Sequence, residues 1–224
     1  MPNDEVFSFD NAEDAIEYAK EHIPHESILV NIASDNITFN NKKGFICDMD
    51  GVIYHGNRLL PGVVEFLDWL KKTDKNYLFL TNSGQYTPKE LQQKLARMGL
   101  DVDESHFYTS ALATAQFLNL QSPGCSAYVM GEHGILNALY DVGITYNDVN
   151  LDYVVVGESS SYNLEMITKA IRLVNAGAKL IGTNYDLTGP TETGIAPACR
   201  ALLAPIELAT GKYFRVLDSD DWVD

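Results

Sequence analysis

The feature that most limits what this chain can become is the stretch Phe45-Ile46-Cys47-Asp48-Met49-Asp50-Gly51. A short apolar run stops abruptly at two acids and a glycine. An unbroken apolar run of that length, closed by turn chemistry, suits a strand buried on both faces of a parallel sheet. In open α/β sheets, the carboxyl ends of such strands are where ligands bind. Side chains at i and i+2 on a strand share a face, and Gly51 gives the backbone freedom to swing Asp50 towards Asp48. Two neighbouring carboxylates repel, so the pair needs a cation or a shared proton close by. Taken alone, D-x-D-G is equally an acidic turn facing water, and the remainder of the chain has to separate the two readings.

Length and charge narrow the field. The chain's 224 residues hold one large domain, or a domain carrying a smaller insert. A formal net charge of −15 argues against nucleic acid or an anionic membrane as partner, since both select basic patches. Any phosphate-bearing substrate must therefore be met by local donors or by a metal. Cys47, Cys125 and Cys199 are scattered, without metal-ligand spacing, and read as reduced thiols of a cytoplasmic protein. The acidic N-terminus lacks a signal-peptide apolar core, and no run approaches the roughly 20 apolar residues of a membrane span.

Along the chain, Asp10 or Asn11 caps an expected helix from Ala12 to His22, and Ile28 to Ile32 reads as a strand in an N-terminal extension of residues 1–42. After Gly51, Val52 to Leu59 reads as a hairpin turning at His55-Gly56-Asn57. An amphipathic helix is expected over Val63–Lys72. Tyr77–Leu80 is a second apolar strand ending in Thr81-Asn82-Ser83-Gly84. Thr87-Pro88-Lys89-Glu90 is a capping box that opens a helix to Met98, stopped by Gly99. Phe107–Thr109 reads as a third strand, with Ser110 capping a helix over Ala111–Leu120. Strand and helix then alternate: Ala127–Met130, Tyr153–Val156, a helix Leu164–Asn175, and the strand Lys179–Gly182. Leu187–Gly194 reads as a loop. A last helix, Ala196–Ala209, is expected to kink or break at Pro205. The alternation implies parallel sheets with right-handed crossovers.

In a parallel sheet the ends of the first two strands are neighbours, so Asp48, Asp50 and Thr81-Asn82-Ser83 can converge. A carboxylate nucleophile, a second carboxylate, a hydroxyl and the backbone N–H groups of a turn make a phosphoryl-transfer site. Mg²⁺ is the natural hard cation to relieve the repulsion.

With these residues in place the sequence resembles the haloacid dehalogenase superfamily, in the branch of NagD-type and p-nitrophenyl-phosphate phosphatases. The carriers are Asp48-Met49-Asp50-Gly51-Val52-Ile53-Tyr54, Leu80-Thr81-Asn82-Ser83, Val156-Gly157, Gly182-Thr183-Asn184-Tyr185-Asp186 and Pro197-Ala198-Cys199. The resemblance implies an α/β fold with a Rossmann-like parallel-sheet core, its first half at 43–110. It also implies an inserted α/β cap at 111–210. By the same resemblance Asp48 is the nucleophile that forms an aspartyl-phosphate, and Asp50 the general acid/base. Mg²⁺ is held by the Asp48 carboxylate and the Asp50 backbone carbonyl. Thr81, Asn82 and Ser83 grip the phosphoryl group of a small phosphorylated metabolite. Asn184 and Asp186 are candidates for facing the substrate from the cap, or equally a plain Asn/Asp turn.

The resemblance weakens after Gly211. The family returns to its core with a Gly-Lys-Pro segment and then an acidic Gly-Asp loop. Here Lys212 is followed by Tyr213, and the acidic tail of residues 211–224 reads as a strand with an acidic end. Residues 212–222 also resemble the strand and D-x-D turn of nucleotide-sugar glycosyltransferases. The expectation is a core sheet lacking part of its strands, with an apolar edge open to association, including a homo-oligomer. The alternative to a phosphatase is therefore a catalytically incomplete phosphate- or metal-binding module. A glycosyltransferase remnant is a further one.

Overall fold

Parallel pairing starts where the sequence places it. The computed structural model describes residues 42–147, 149, 151–191 and 194–216, so the expected N-terminal helix and strand and the acids of the tail lie outside the described residues. Strand β1 (Gly44–Asp48) pairs in parallel with β4 (Asn76–Thr81), and β4 with β5 (Phe107–Thr109), in the order β1-β4-β5. Between them lie the hairpin β2 (Tyr54–His55) and β3 (Arg58–Leu59), helix α1 (Val63–Lys72) and helix α2 (Pro88–Arg97). The bounds of α1 coincide with the expected ones, because Val63, Leu67 and Leu70 form one buried stripe. The capping box of α2 is complete: Glu90 N donates to Thr87 Oγ1 at 3.2 Å, and Thr87 N to Glu90 Oε2 at 2.8 Å. A cluster of Met49, Ile53, Leu67, Leu70, Phe79, Leu91 and Phe107 packs these helices onto the sheet.

Helix α3 (Ser110–Gln121) leaves β5 directly, and its cap differs from the expected one. Thr109, not Ser110, caps it, with Leu112 N donating to Thr109 Oγ1 at 3.2 Å. The Ser110 hydroxyl is engaged elsewhere, on the backbone carbonyl of Asn82 at 2.7 Å.

A second parallel sheet follows. Its strands are β6 (Ser126–Met130), β7 (Thr145–Tyr146), β8 (Tyr153–Val156), β9 (Lys179–Gly182) and β12 (Arg215–Val216), in the order β12-β9-β8-β6-β7. Its central strand β8 is buried at every position because both faces are covered. Ala127, Val129, Tyr153 and Val155 point into one cluster with α3 and helix α4 (His133–Asp141). The alternate residues Tyr128, Met130, Val154 and Val156 point into another with helices α5 (Leu164–Asn175) and α6 (Cys199–Thr210). The period of two divides each strand between the two cores.

Three expectations need correcting here. The segment read as a loop forms an antiparallel hairpin, β10 (Thr188–Thr191) with β11 (Gly194–Pro197), in the register Thr188↔Pro197. Cross-strand pairing overrides the weak strand preference of its Gly and Pro residues. Helix α6 consequently starts at Cys199 rather than Ala196, and it continues through Pro205 without a break. The tail does form a strand, and Arg215 and Val216 pair with Ile181 and Gly182.

Candidate active site

The register of β1 against β4 sets Asp48 beside Leu80, so both strand ends open into one cleft of about 840 Å³. Past Asp48 the chain wraps around the carbonyl of the fully buried Met49, which accepts from Val52, Ile53 and Tyr54 N–H groups at 3.3, 2.8 and 3.3 Å. Gly51 makes the turn possible at φ +80°, a left-handed value costly for other residues. The turn presents both acids, exposed, to the cleft. The Tyr54 hydroxyl donates to Asp50 Oδ2 at 3.3 Å and fixes that carboxylate. Burial, reinforced by the negative charge of Asp50, pushes the Tyr54 phenol above its ordinary range, so it stays protonated and able to donate. The Lys94 ammonium lies 3.9 Å from the centre of the Tyr54 ring and also lines the cleft.

The structure brings Thr81, Asn82 and Ser83 to the same cleft. Thr81 is buried, and its hydroxyl accepts from Ser83 N at 3.1 Å, folding a tight turn off the strand. The Ser83 hydroxyl donates to Glu158 Oε2 at 2.9 Å. The backbone carbonyl of Asn82 accepts from Ser110 Oγ at 2.7 Å and from Asn184 Nδ2 at 2.8 Å.

The two cap candidates separate. Asp186 lines the cleft and is exposed. Asn184 is only 1% exposed, and its amide is engaged with Asn82 and with Glu158 Oε1 at 3.2 Å. It does not line the cleft. Glu158, like Lys94, is a cleft residue that the sequence reading does not single out. Its signal was present: it follows Val156-Gly157 at the end of an apolar strand, as Asp48 follows Cys47. Burial pushes its carboxyl above the usual range, against the lowering effect of the Ser83 and Asn184 donors.

The arrangement has an exposed carboxylate at one strand end, a second carboxylate oriented by a phenol, and a hydroxyl- and amide-rich turn at a second strand end. Residues 45–145 match the family model described as haloacid dehalogenase-like hydrolase. Ribonucleotide monophosphatase NagD of Escherichia coli is 44% identical over 182 residues, 81% of this chain and 71% of NagD.

The chain belongs to the haloacid dehalogenase-like hydrolases.

Within these hydrolases it sits in the NagD-like branch of phosphatases. The solved NagD structure superposes with a TM-score of 0.72 over 78% of this chain and 68% of NagD. The 4-nitrophenylphosphatase of Thermotoga maritima, 30% identical, gives 0.76 over 80% of this chain and 69% of its own. A glycerol phosphate phosphatase of Mycobacterium tuberculosis, solved in complex with calcium and 28% identical, gives 0.72 over 78% of this chain and 52% of its own. The α/β fold with a Rossmann-like core and an α/β cap is that of this branch. Among the described residues no helix is long and apolar enough to cross a membrane. Nor do any three His, Cys, Asp or Glu side chains among them gather as a ready metal cage.

Proposed function

We propose that the chain hydrolyses small phosphate monoesters through an aspartyl-phosphate on Asp48, with Asp50 as general acid and then general base. The reading is carried by one observation: the Asp48–Asp50 end of β1 and the Thr81–Ser83 end of β4 open into the same cleft. An Asp48 oxygen attacks phosphorus as Asp50 gives its proton to the leaving oxygen. Asp50 then takes a proton from water, which cleaves the acyl phosphate and regenerates Asp48. Tyr54 holds Asp50 in place throughout. Thr81, Asn82 and Ser83 bind the phosphoryl oxygens, and Asp186 faces the substrate from the cap. Asn184 acts through Asn82 rather than on the substrate.

The donor set fits Mg²⁺, which keeps several waters and takes one or two carboxylates alongside substrate phosphate. The Asp48 carboxylate and the Asp50 backbone carbonyl would hold it. When bound it neutralises the charge gathered on Asp48 and the phosphoryl group. Residues 43–110 form the first half of the core in this assignment, 111–210 the cap and 211–224 a divergent tail. The scattered, unbridged cysteines support a cytoplasmic setting.

Asp48→Asn, assayed on p-nitrophenyl phosphate with Mg²⁺, is expected to reduce turnover to background. Undiminished turnover would remove Asp48 from the nucleophile's role. Phosphate or Mg²⁺ binding without hydrolysis in the unaltered chain would instead identify a binding module.

A further inference from the structure

The turn that follows β4 carries its own Thr81–Ser83 bond and the Ser110 hydroxyl on Asn82, and it is also tied to the other sheet. Three strands that are neighbours in the cap sheet, β6, β8 and β9, lead into segments that bond to it. Beyond β6, Gly134 N at the start of α4 donates to the Gln85 carbonyl at 2.9 Å. Beyond β8, Glu158 accepts from the Ser83 hydroxyl at 2.9 Å. Beyond β9, Asn184 donates to the Asn82 carbonyl at 2.8 Å. Glu158 closes the set by taking Asn184 Nδ2 on its second oxygen at 3.2 Å, so one carboxylate spans two of the three attachments.

We infer that Glu158 and Asn184 are positioning residues of the phosphatase, setting Asn82 and Ser83 from the cap side so that they meet the phosphoryl group in a fixed orientation. The inference rests on the phosphate-binding role proposed above for that turn. A half-buried carboxylate is a poor choice for stability alone, because it gives up hydration that only a few donors replace. Its burial lifts the carboxyl above the usual range, consistent with that cost. What it supplies is geometry: two acceptor oxygens rigidly spaced between a core hydroxyl and a cap amide. The site's precision is thus shared between the two sheets, and weakening this bridge misplaces the grip while both Asp48 and Asp50 are retained.

The test uses the full chain and two readouts that need no turnover. Inorganic phosphate affinity is measured by calorimetry, and amide exchange at Ser83 and Gln85 is followed without phosphate. In Glu158→Ala the Ser83 hydroxyl and the Asn184 amide lose an acceptor. Phosphate affinity is expected to fall about tenfold or more, with faster exchange at both amides. Where turnover is measurable, KM for p-nitrophenyl phosphate rises by a similar factor. Glu158→Gln returns most of the loss, because its carbonyl can accept from Asn184 while its amide donates to the Ser83 oxygen. Wild-type phosphate affinity and exchange in Glu158→Ala overturn the inference, as does a glutamine variant no better than the alanine one. A wild-type chain that binds phosphate but does not hydrolyse the ester defeats the proposed reaction alone. One that binds no phosphate defeats both.

Discussion

The two parallel sheets follow the same pairing rules and are covered differently. Every residue of β8 is buried, and its side chains are divided between two cores. In β1 only alternate residues, Phe45 and Cys47, pack inward, while Ile46 is 73% exposed. Among the described residues β1 also has a single strand neighbour, whereas β8 lies between β6 and β9. The carboxylates of the proposed reaction thus sit on the less constrained sheet. The sheet packed on both faces carries neither of them, and its strand ends hydrogen-bond to the turn after β4. Chemistry and rigidity are divided between the two halves.

That contrast can be broken by experiment. Leu203 is fully buried beneath the cap sheet, and Leu203→Ala is expected to cost about 2–5 kcal/mol by denaturant unfolding. Ile46→Ala should stay within about 0.5 kcal/mol. Equal losses would mean that the outer face of β1 is covered in solution. The seam between the sheets is tested at Gly134, where an added Cβ would lie 2.4 Å from the Gly84 carbonyl oxygen and 2.7 Å from that of Tyr86. These are backbone atoms that cannot step aside. Gly134→Ala is expected to cost about 1–3 kcal/mol and to lower kcat/KM disproportionately; a stability loss with unaltered kinetics would uncouple the cap from the phosphate turn.

A pH-dependent effect is expected at Glu132, which joins the β6–α4 and β8–α5 connections. Its Oε1 accepts from Ser160 N at 2.7 Å, Ser160 Oγ at 2.9 Å and Ser159 Oγ at 3.1 Å. These donors, the Ser160 backbone first, hold the carboxyl below its usual range. A depressed acid stabilises the fold above its unfolded pKa, and that contribution fades as pH falls through the folded value. The melting-temperature gap between wild type and Glu132→Gln should therefore narrow as pH drops from 7 into the acid range. A gap independent of pH would assign the effect to packing.

Local signals were readable in the sequence where one stretch determines its own structure. The stripe of α1, the Thr87–Glu90 box and the acids closing β1 all belong to that class. The hairpin of β10 and β11 was not readable, because Thr188-Gly189-Pro190-Thr191 has no apolar alternation and is specified by its partner strand. The cap of α3 was misplaced by one residue for a related reason, since Ser110 is committed to Asn82 across the fold. Half of the candidate site was likewise visible as strand-end chemistry. Asn184 carries the same kind of signal as Asp186, and only tertiary docking separates an amide buried in the seam from a carboxylate facing the cleft. Glu158 shows that the strand-end rule applied to Asp48 extends to the cap as well.

The bare-backbone contact at Gly84 and Gly134 also bears on how such an enzyme can change. Where main chain meets main chain there is no side chain to trim or enlarge, so this seam resists drift. The cleft wall formed by Thr188, Gly189, Pro190 and Ala196 is built of small residues on a two-stranded hairpin. Residues there can grow or shrink without opening either core. Substitutions on that hairpin can therefore reshape this wall of the cleft while the packed cores behind it keep their dimensions.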